Sequence, residues 1–295
     1  MDTLDALRLF VSIAETGSLT AAARQHTVAP STVTLALQQL EERAATRLIT
    51  RSTRRLTFTH EGERFLIDAR RLLSDWEGAM DGVKQGGPLQ GPIRVTATSD
   101  FGRLRLAPLL DRFLDQHPAI QVELLLGDGV IDMIERGLDV ALRNGPLVDS
   151  TLRSRLLVSS RRIICATPAY WDAHGRPEHP DQLVEHNCLV LYRPGVPFAT
   201  WPFVIEGRPV AVRVAGNRVA NDGGVLRHWA MQGYGPMIKN IWEVRREIDE
   251  GILETVLDDF ARPHVDLYAV TASKTPSRRV SALVDFLALQ LGRER

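Results

Sequence analysis

The chain has 295 residues, which as a prior means about two domains, and its apolar and charged fractions of 44% and 24% are those of an ordinary globular protein. Matched totals of 36 basic and 36 acidic side chains give a formal net charge of zero. That excludes bulk attraction to a polyanion and moves the question to local charge distribution. No apolar run approaches the ~20 residues of a membrane span. Asp2, Asp5, Arg8 and Glu15 make the first segment a folded helix, not a signal peptide. Cys165 and Cys188 are not at metal-ligand spacing and are too few for a disulfide framework. They read as buried thiols in a reducing cytoplasm, with a redox-sensing pair as the alternative.

The first helical pattern after the amino-terminal helix is Gly17-Ser18-Leu19-Thr20-Ala21-Ala22-Ala23. It opens on residues that cap helices and continues with alanines. A second helix is predicted from Pro30 to about Glu42, where Val33, Leu37 and Leu40 recur at helical spacing. Only a few residues lie between the two, as a helix-turn-helix requires. Then comes Arg47-Leu48-Ile49-Thr50-Arg51-Ser52-Thr53-Arg54-Arg55-Leu56-Thr57-Phe58-Thr59, a short hairpin loaded with arginine. With Arg43 added, no acidic residue interrupts the stretch from Arg43 to Arg55, and such a stripe holds phosphates whatever the total charge. A helix that fits the major groove beside a basic wing implies DNA reading; a merely solvated hairpin is the bland alternative.

Thr59-His60-Glu61-Gly62 looks like the start of the next helix, with Thr59 as N-cap and Glu61 in its first turn. Leu66, Ala69, Leu73, Trp76, Met80 and Val83 then form a heptad seam flanked by Arg70, Arg71, Asp75, Glu77 and Asp81. A long, lone helix of this kind is unstable unless paired, so the seam is expected to join two copies of the chain; packing on its own domain is the alternative.

Gln85-Gly86-Gly87-Pro88-Leu89-Gln90-Gly91-Pro92 is the clearest linker. Beyond it strands and helices alternate: strand Ile93–Thr98, helix Leu104–Gln116, strand Ile120–Leu126, a short helix Ile131–Arg136 and strand Asp139–Arg143. The order implies a parallel sheet with crossover helices. A second run of the same kind spans about 161–267, with strands near Ile163–Ala166, Cys188–Tyr192 and Pro236–Lys239. A strand Val265–Val270 and an amphipathic helix Ser277–Leu291 end the chain. Two α/β units in tandem suggest a two-lobed clam-shell.

Together these residues resemble the LysR-type transcriptional regulators over nearly the full length. The resemblance is carried by Leu9-Phe10-Val11, Glu15-Thr16-Gly17-Ser18-Leu19-Thr20-Ala21-Ala22-Ala23, Leu40-Glu41-Glu42, Arg47-Leu48-Ile49-Thr50-Arg51 and Leu56-Thr57-Phe58-Thr59-His60-Glu61-Gly62. It continues in Phe101-Gly102-Arg103, Leu106-Ala107-Pro108-Leu109, Phe113-Leu114, His117-Pro118, Asp139-Val140-Ala141-Leu142-Arg143 and Asn221-Asp222-Gly223. Lys239-Asn240-Ile241-Trp242 resembles a branch often linked to small hydroxy-acid metabolism.

The resemblance implies an all-α winged helix-turn-helix domain over 1–58, a dimerising linker helix over 59–87, and an α/β effector-binding domain over 88–295 of the two-lobed periplasmic-binding-protein-like type II fold. Lobe one covers about 92–160 and 268–295, and lobe two about 161–267. The implied partners are operator DNA and further copies of the chain, as a homodimer and then a dimer of dimers, with RNA polymerase added if the protein activates. The implied location is the bacterial cytoplasm, at the nucleoid, with no membrane partner. No cofactor is expected, only a small-molecule effector of unknown identity. Catalytic motifs are missing: there is no Gly-x-Ser-x-Gly elbow, glycine-rich phosphate loop or His-Glu-x-x-His, and the 8 histidines are scattered.

Three positions depart from the family pattern. Ala29 stands where a Ser cap is common, and a missing cap oxygen costs ~1 kcal/mol, although Pro30 suits the first turn. Leu35 stands where Arg or Lys is usual; it cannot bond a guanine edge or a phosphate but can touch a thymine methyl. Ala44-Ala45 replaces Leu-Gly, which strains the chain if that turn is left-handed. These departures bear on operator preference and affinity, and they keep open an alternative: a ligand-binding oligomer with weakened or lost sequence-specific DNA binding. The expected DNA contacts are Pro30, Ser31, Thr32, Thr34, Leu35 and Gln38 from the helix and Arg51, Thr53, Arg54 and Arg55 from the wing. The expected effector contacts are Thr98, Ser99, Asp100, Arg143, Asn221 and Asp222, of which Asn221 and Asp222 are placed across from Ser99 by the resemblance. Backbone donors at a helix start plus one arginine suit an anionic metabolite. Asp100 and Asp222 would repel it, so one of them is expected to cap instead. Trp201, Trp229 and Trp242 read as core before ligand box.

Overall fold

The computed structural model describes residues 1–51, 56–83, 87–129, 132–133, 136–145, 153–192, 199–261, 265–273 and 275–292. The chain divides into two compact units, one of Met1–Pro88, Asp132–Asp139 and Thr271–Ser281, the other of Leu89–Ile131, Val140–Val270 and Ala282–Arg295.

The first unit begins with α1 (Thr3–Thr16), α2 (Leu19–Gln25) and α3 (Pro30–Ala44), followed by the hairpin β1 (Ile49–Arg51) and β2 (Leu56–Phe58) and by α4 (His60–Val83). Gly17 ends α1 at φ 66°, and the Ser18 hydroxyl accepts from the Ala21 N–H at the start of α2, so the sequence signals there mark a stop and a start only one residue apart. Phe10, Ile13, Ala22, Val33, Leu37, Leu40, Leu48 and Ala69 form the core. The Phe10 ring lies 5.5 Å from Phe58 and 5.4 Å from Phe65, which ties the hairpin and α4 to α1.

Two local devices fix the wing. The Thr59 hydroxyl donates to the Arg47 carbonyl at 2.7 Å and accepts from the Gly62 N–H at 2.9 Å, the capping role expected of it. A Cβ on Gly62 would lie 1.9 Å from the Leu48 carbonyl oxygen, so only glycine allows this approach. The buried Glu41 carboxylate accepts from the Leu48 and Ile49 N–H groups at 2.9 and 3.2 Å and from Arg47 Nη1 at 2.9 Å.

The second unit contains β3 (Gly91–Ala97), α5 (Ser99–Phe101), a π-helical turn (Gly102–Leu106), α6 (Ala107–Gln116), β4 (Ile120–Leu126), β5 (Val140–Asn144), β6 (Arg153–Val158), β7 (Arg162–Ala166) and α7 (Pro168–His174). It continues with β8 (Val190–Leu191), β9 (Thr200–Ile205), β10 (Arg208–Arg213), β11 (Val219–Ala220), α8 (Gly223–Met231), β12 (Met237–Asn240), α9 (Arg245–Asp249), β13 (Glu254–Val256), and most of β14 (Leu267–Thr271) and α10 (Arg278–Gly292). The larger sheet has the order β4-β3-β5-β14-β6, with β3 parallel to both β4 and β5. The end of the chain thus returns to the first lobe's sheet.

The second lobe corrects the expectation of a repeat of the same kind. Its sheet β12-β7-β13 is antiparallel, β8 shrinks to two residues paired with β11, and the hairpin β9-β10 was not foreseen. Its two-residue turn, Glu206 at φ 50° and Gly207 at φ 76°, has the double positive φ that a tight hairpin needs. The expected helix Ile131–Arg136 falls partly outside the described residues. Among the described residues, no helix is long and apolar enough to cross a membrane.

Ala45 closes α3 in the left-handed region at φ 51°, ψ 29°, so the conditional strain anticipated for this alanine is present. Ala45→Gly is expected to stabilise the first unit by roughly 0.5–1 kcal/mol after the larger unfolded-state entropy of glycine is subtracted. The urea midpoint followed by helical circular dichroism measures it, and a lower midpoint in the variant would refute the strain.

Candidate functional sites

In the first unit, α3 divides its surface sharply. Val33, Ala36, Leu37, Leu40 and Glu41 are buried, whereas Ser31, Leu35, Gln38 and Glu42 are exposed. The exposed set is spaced by four, three and four residues, which makes one straight helical face. Leu35 keeps 52% of its surface exposed. Pro30 is exposed, and Thr32 and Thr34 are half-buried; the Thr34 hydroxyl donates back to the Pro30 carbonyl at 3.2 Å, which steadies a first turn that lacks a cap from Ala29. Arg51 pairs with Leu56 at the outer end of the hairpin. Its side chain lies outside the described residues, as do Thr53, Arg54 and Arg55.

The seam on α4 needs correction. Ala69 and Leu73 are buried in this unit's own core and Leu66 packs against it, because the helix must cover α1 and the hairpin. Trp76 and Met80 are exposed, and so are Leu72 and Ala79, while the Val83 side chain lies outside the described residues. Among the described residues, the uncovered apolar stripe is therefore Leu72, Trp76, Ala79 and Met80.

In the second unit, the ends of β3, β4 and β12 and the starts of α5 and α8 meet in a cluster of charges. The Asp128 carboxylate accepts from the Ser99 N–H at 3.0 Å and from the Gly223 N–H at 2.7 Å, and so joins the first turns of two helices. Lys239 Nζ donates to Asp100 Oδ2 at 2.5 Å and stands 3.6 Å from Glu243 Oε2. Arg103 Nη2 reaches both Asp222 oxygens at 3.1 and 2.9 Å, while the same carboxylate caps α8 through the Gly224 and Val225 N–H groups. A Cβ on Gly223 would sit 3.0 Å from Lys239 Nζ, so the missing side chain leaves room for the ammonium.

Burial and charge oppose each other here. Burial lowers the Lys239 pKa, but Glu243 and Asp100 outweigh it and hold the ammonium above its ordinary 10.5. Burial raises the Glu243 carboxyl, and Lys239 offsets only part of that. Burial also pushes Asp222 up, but the Val225 N–H and Arg103 pull it below the ordinary carboxylate value.

Of the sequence-predicted effector contacts, Ser99, Asp100 and Asp222 enter this cluster and Thr98 lies beside it. The Thr98 hydroxyl is buried with no hydrogen-bond partner among the described residues, as are Asn240 Oδ1 and Trp242 Nε1. Asn221 is exposed. The Arg143 guanidinium donates to the Gly127 carbonyl at 3.1 Å and to the Thr96 hydroxyl at 3.2 Å, which braces its own lobe. The cluster's cations are Arg103 and Lys239. Sequence reasoning missed Arg103, Asp128, Lys239 and Glu243 as site residues; the signal for Asp128 was a lone acid between Gly127 and Gly129 at the end of a strand. Trp201 is fully buried in one core cluster and Trp229 packs against another, whereas Trp242 meets the Phe101 ring edge-on at 4.9 Å. Cys165 and Cys188 are buried, and burial pushes each up to about 12, so both are held as thiols.

Comparison with known proteins bears on both sites. A family model described as the bacterial regulatory helix-turn-helix protein, lysR family, matches residues 4–63, and one described as the LysR substrate binding domain matches residues 86–291. The chain is 31% identical over 286 residues to the HTH-type transcriptional regulator DmlR of Escherichia coli strain K12, covering 96% of this chain and 93% of DmlR. The solved structure of CrgA, a LysR-type transcriptional regulator from Neisseria meningitidis, is 32% identical with a TM-score of 0.62, covering 98% of each chain. The full-length Vibrio cholerae virulence activator AphB is 29% identical with a TM-score of 0.60, covering 97% of this chain and 98% of AphB.

Removing the cation should expose what the cluster costs. Lys239→Met leaves buried carboxylates without a partner and is expected to lose about 3–5 kcal/mol in chemical denaturation, most of it recovered in Lys239→Met with Asp100→Leu. Glu243 gives the opposite sign. Because its folded pKa is raised above 4.5, its favourable neutral form is complete below that value and is lost as pH rises through the folded pKa. Glu243→Gln is therefore expected to raise the unfolding midpoint near neutral pH, with the gain vanishing near about pH 4. Equal midpoints at neutral pH would show that Glu243 ionises without penalty.

Proposed function

The chain belongs to the LysR family of bacterial transcriptional regulators, and from that premise we propose that it reads an operator through the Ser31–Leu35–Gln38 face of α3 and is switched by a small anionic metabolite at the Asp100–Asp128–Lys239 cluster. The observation that carries the reading is the division of α3: one side is fixed in the core by Val33, Leu37 and Leu40, and the opposite side is a continuous uncovered face. Base edges are read by such a face, and the arginines of the wing position it on phosphates.

The effector part rests on the chemistry of the donors. The Ser99 and Gly223 N–H groups already hold a carboxylate, that of Asp128, and Lys239 and Arg103 hold two more. The protein thus fills an anion seat with its own side chains. A ligand carboxylate replaces one of them at little electrostatic cost, because it inherits the same donors. The Thr98 hydroxyl and Trp242 Nε1, unpartnered among the described residues, offer further bonds to a hydroxyl or a second oxygen. Such exchange changes which lobe each cation holds, and this gives the ligand the differential contact that a switch needs.

Self-association is assigned to the stripe Leu72, Trp76, Ala79 and Met80, because a 24-residue helix with an exposed apolar edge is stabilised by pairing. An RNA polymerase contact belongs to the proposal only if the protein activates.

The test is selection of bound fragments from the source organism's genomic DNA, followed by footprinting at two salt concentrations. A protected pseudo-palindrome supports operator reading; weak, sequence-blind, salt-labile binding would support the lapsed-binder alternative. For the stripe, Leu72→Asp with Trp76→Asp is expected to reduce the assembly by at least one step in light scattering without unfolding, since both positions are exposed. The same mass in the variant would remove the assignment.

A further inference from the structure

We infer that Leu35 makes base reading methyl-dependent, by seating its isobutyl group against the C5-methyl of a pyrimidine in the major groove. The inference rests on the reading of α3 as the DNA-contacting helix and adds what that helix recognises.

Leu35 lies midway along the uncovered face, one turn from Ser31 and one turn from Gln38. It is 52% exposed, while Val33, Ala36 and Leu37 beside it in sequence are buried, so the core does not call for it. Between Pro30 and Gln39 the helix carries no charged side chain. The face therefore has no cation with which to hold a phosphate or grip guanine O6 and N7. Its polar members, Ser31 and Gln38, offer a hydroxyl and an amide, and an amide pairs with adenine N6 and N7. Leucine can do neither. Among the groups displayed in the major groove, the one apolar group is the pyrimidine C5-methyl. A leucine placed against a polar base edge or a phosphate would desolvate that group without a partner, whereas against a methyl both surfaces leave water.

Two sources share this chemistry, thymine and 5-methylcytosine, and the test separates them. A randomised duplex library is selected with the full-length protein, and a duplex carrying the enriched sequence is synthesised. Each dT is then replaced singly by dU, which removes only the methyl. At least one position is expected to weaken binding about fourfold, the equivalent of one methyl withdrawn from water. In Leu35→Ala that penalty is expected to disappear, while the salt dependence, which counts phosphate contacts, stays unchanged. At the same position, a cytosine is compared with 5-methylcytosine: tighter binding on methylation makes both bases readable, and equal binding confines the reading to thymine.

A dU penalty of the same size in wild type and in Leu35→Ala, or none at any position, overturns the inference while leaving operator reading intact. An unenriched library overturns the operator reading itself, and the inference with it. Because Leu35 is exposed, its alanine variant tests recognition without disturbing the core.

Discussion

A buried ammonium demands carboxylates, and in the second unit that demand organises everything near the proposed effector seat. Lys239 is the third residue of β12, Asp100 the second of α5, and Glu243 follows one turn after Lys239. None can be buried alone, because an uncompensated charge away from water costs several kcal/mol. Their meeting brings the carboxyl end of β3 to the end of β12, and Asp128 adds the start of α8. Gly223 leaves space for the ammonium, and Asp222 caps α8 while holding Arg103. The cluster contains more acids than bases, and burial resolves the excess by raising Glu243 toward its neutral form. A seat built this way is not an empty donor set awaiting an anion. It is a set of internal pairs, and under the proposal a ligand enters by exchange.

The first unit obeys a related economy of surfaces. A helix has room for one core-facing stripe and one free face, so what the core takes is lost to function. On α3 the core takes Val33, Ala36, Leu37, Leu40 and also Glu41, whose carboxylate satisfies the first N–H groups of the wing. The recognition face and the wing are thus held by adjacent residues of one helix. On α4 the core takes Ala69 and Leu73, which moves the free stripe to Leu72, Trp76 and Met80. Periodicity alone cannot separate these cases, because a heptad seam and the buried stripe of an amphipathic helix have nearly the same spacing; only the position of α1 decides.

The same reasoning explains what could be read before the fold was known. Helix caps and stops are local, so Gly17, Ser18, Pro30 and Thr59 marked their elements correctly. The strand β5 was legible as a short continuous buried apolar run, Val140–Leu142, and β3 and the edge strand β4 through alternation, with Ile93, Val95 and Ala97 in one and Ile120, Val122 and Leu124 in the other. The hairpin β9-β10 was hidden by Pro202 and Pro209, which weaken a strand pattern, although Glu206-Gly207 carried the turn signal. The site was legible only where its residues flank a strand end, as with Ser99, Asp100 and Asp222. Arg103 meets Asp222, Lys239 meets Asp100, and Asp128 meets the Gly223 N–H across long sequence separations, and pairing of that kind leaves no local trace. For Arg143 the place at a strand end was visible, but the Gly127 carbonyl and Thr96 hydroxyl that hold it were not.

Zero net charge and DNA binding are reconciled by separating two tasks. Phosphate contacts need cations and give affinity; base contacts give specificity and need shape and hydrogen-bond pattern. Here α3 is neutral from Pro30 to Gln39, so its contribution is specificity with little Coulombic attraction. Arg47 is already paired with Glu41, and Arg43 donates to the Thr3 hydroxyl, so under the proposed reading phosphate affinity falls mainly to the outer arginines of the wing. Such a division makes binding strength tunable by salt while the identity of the preferred sequence stays fixed. A protein whose reading helix carried the cations would lose both together.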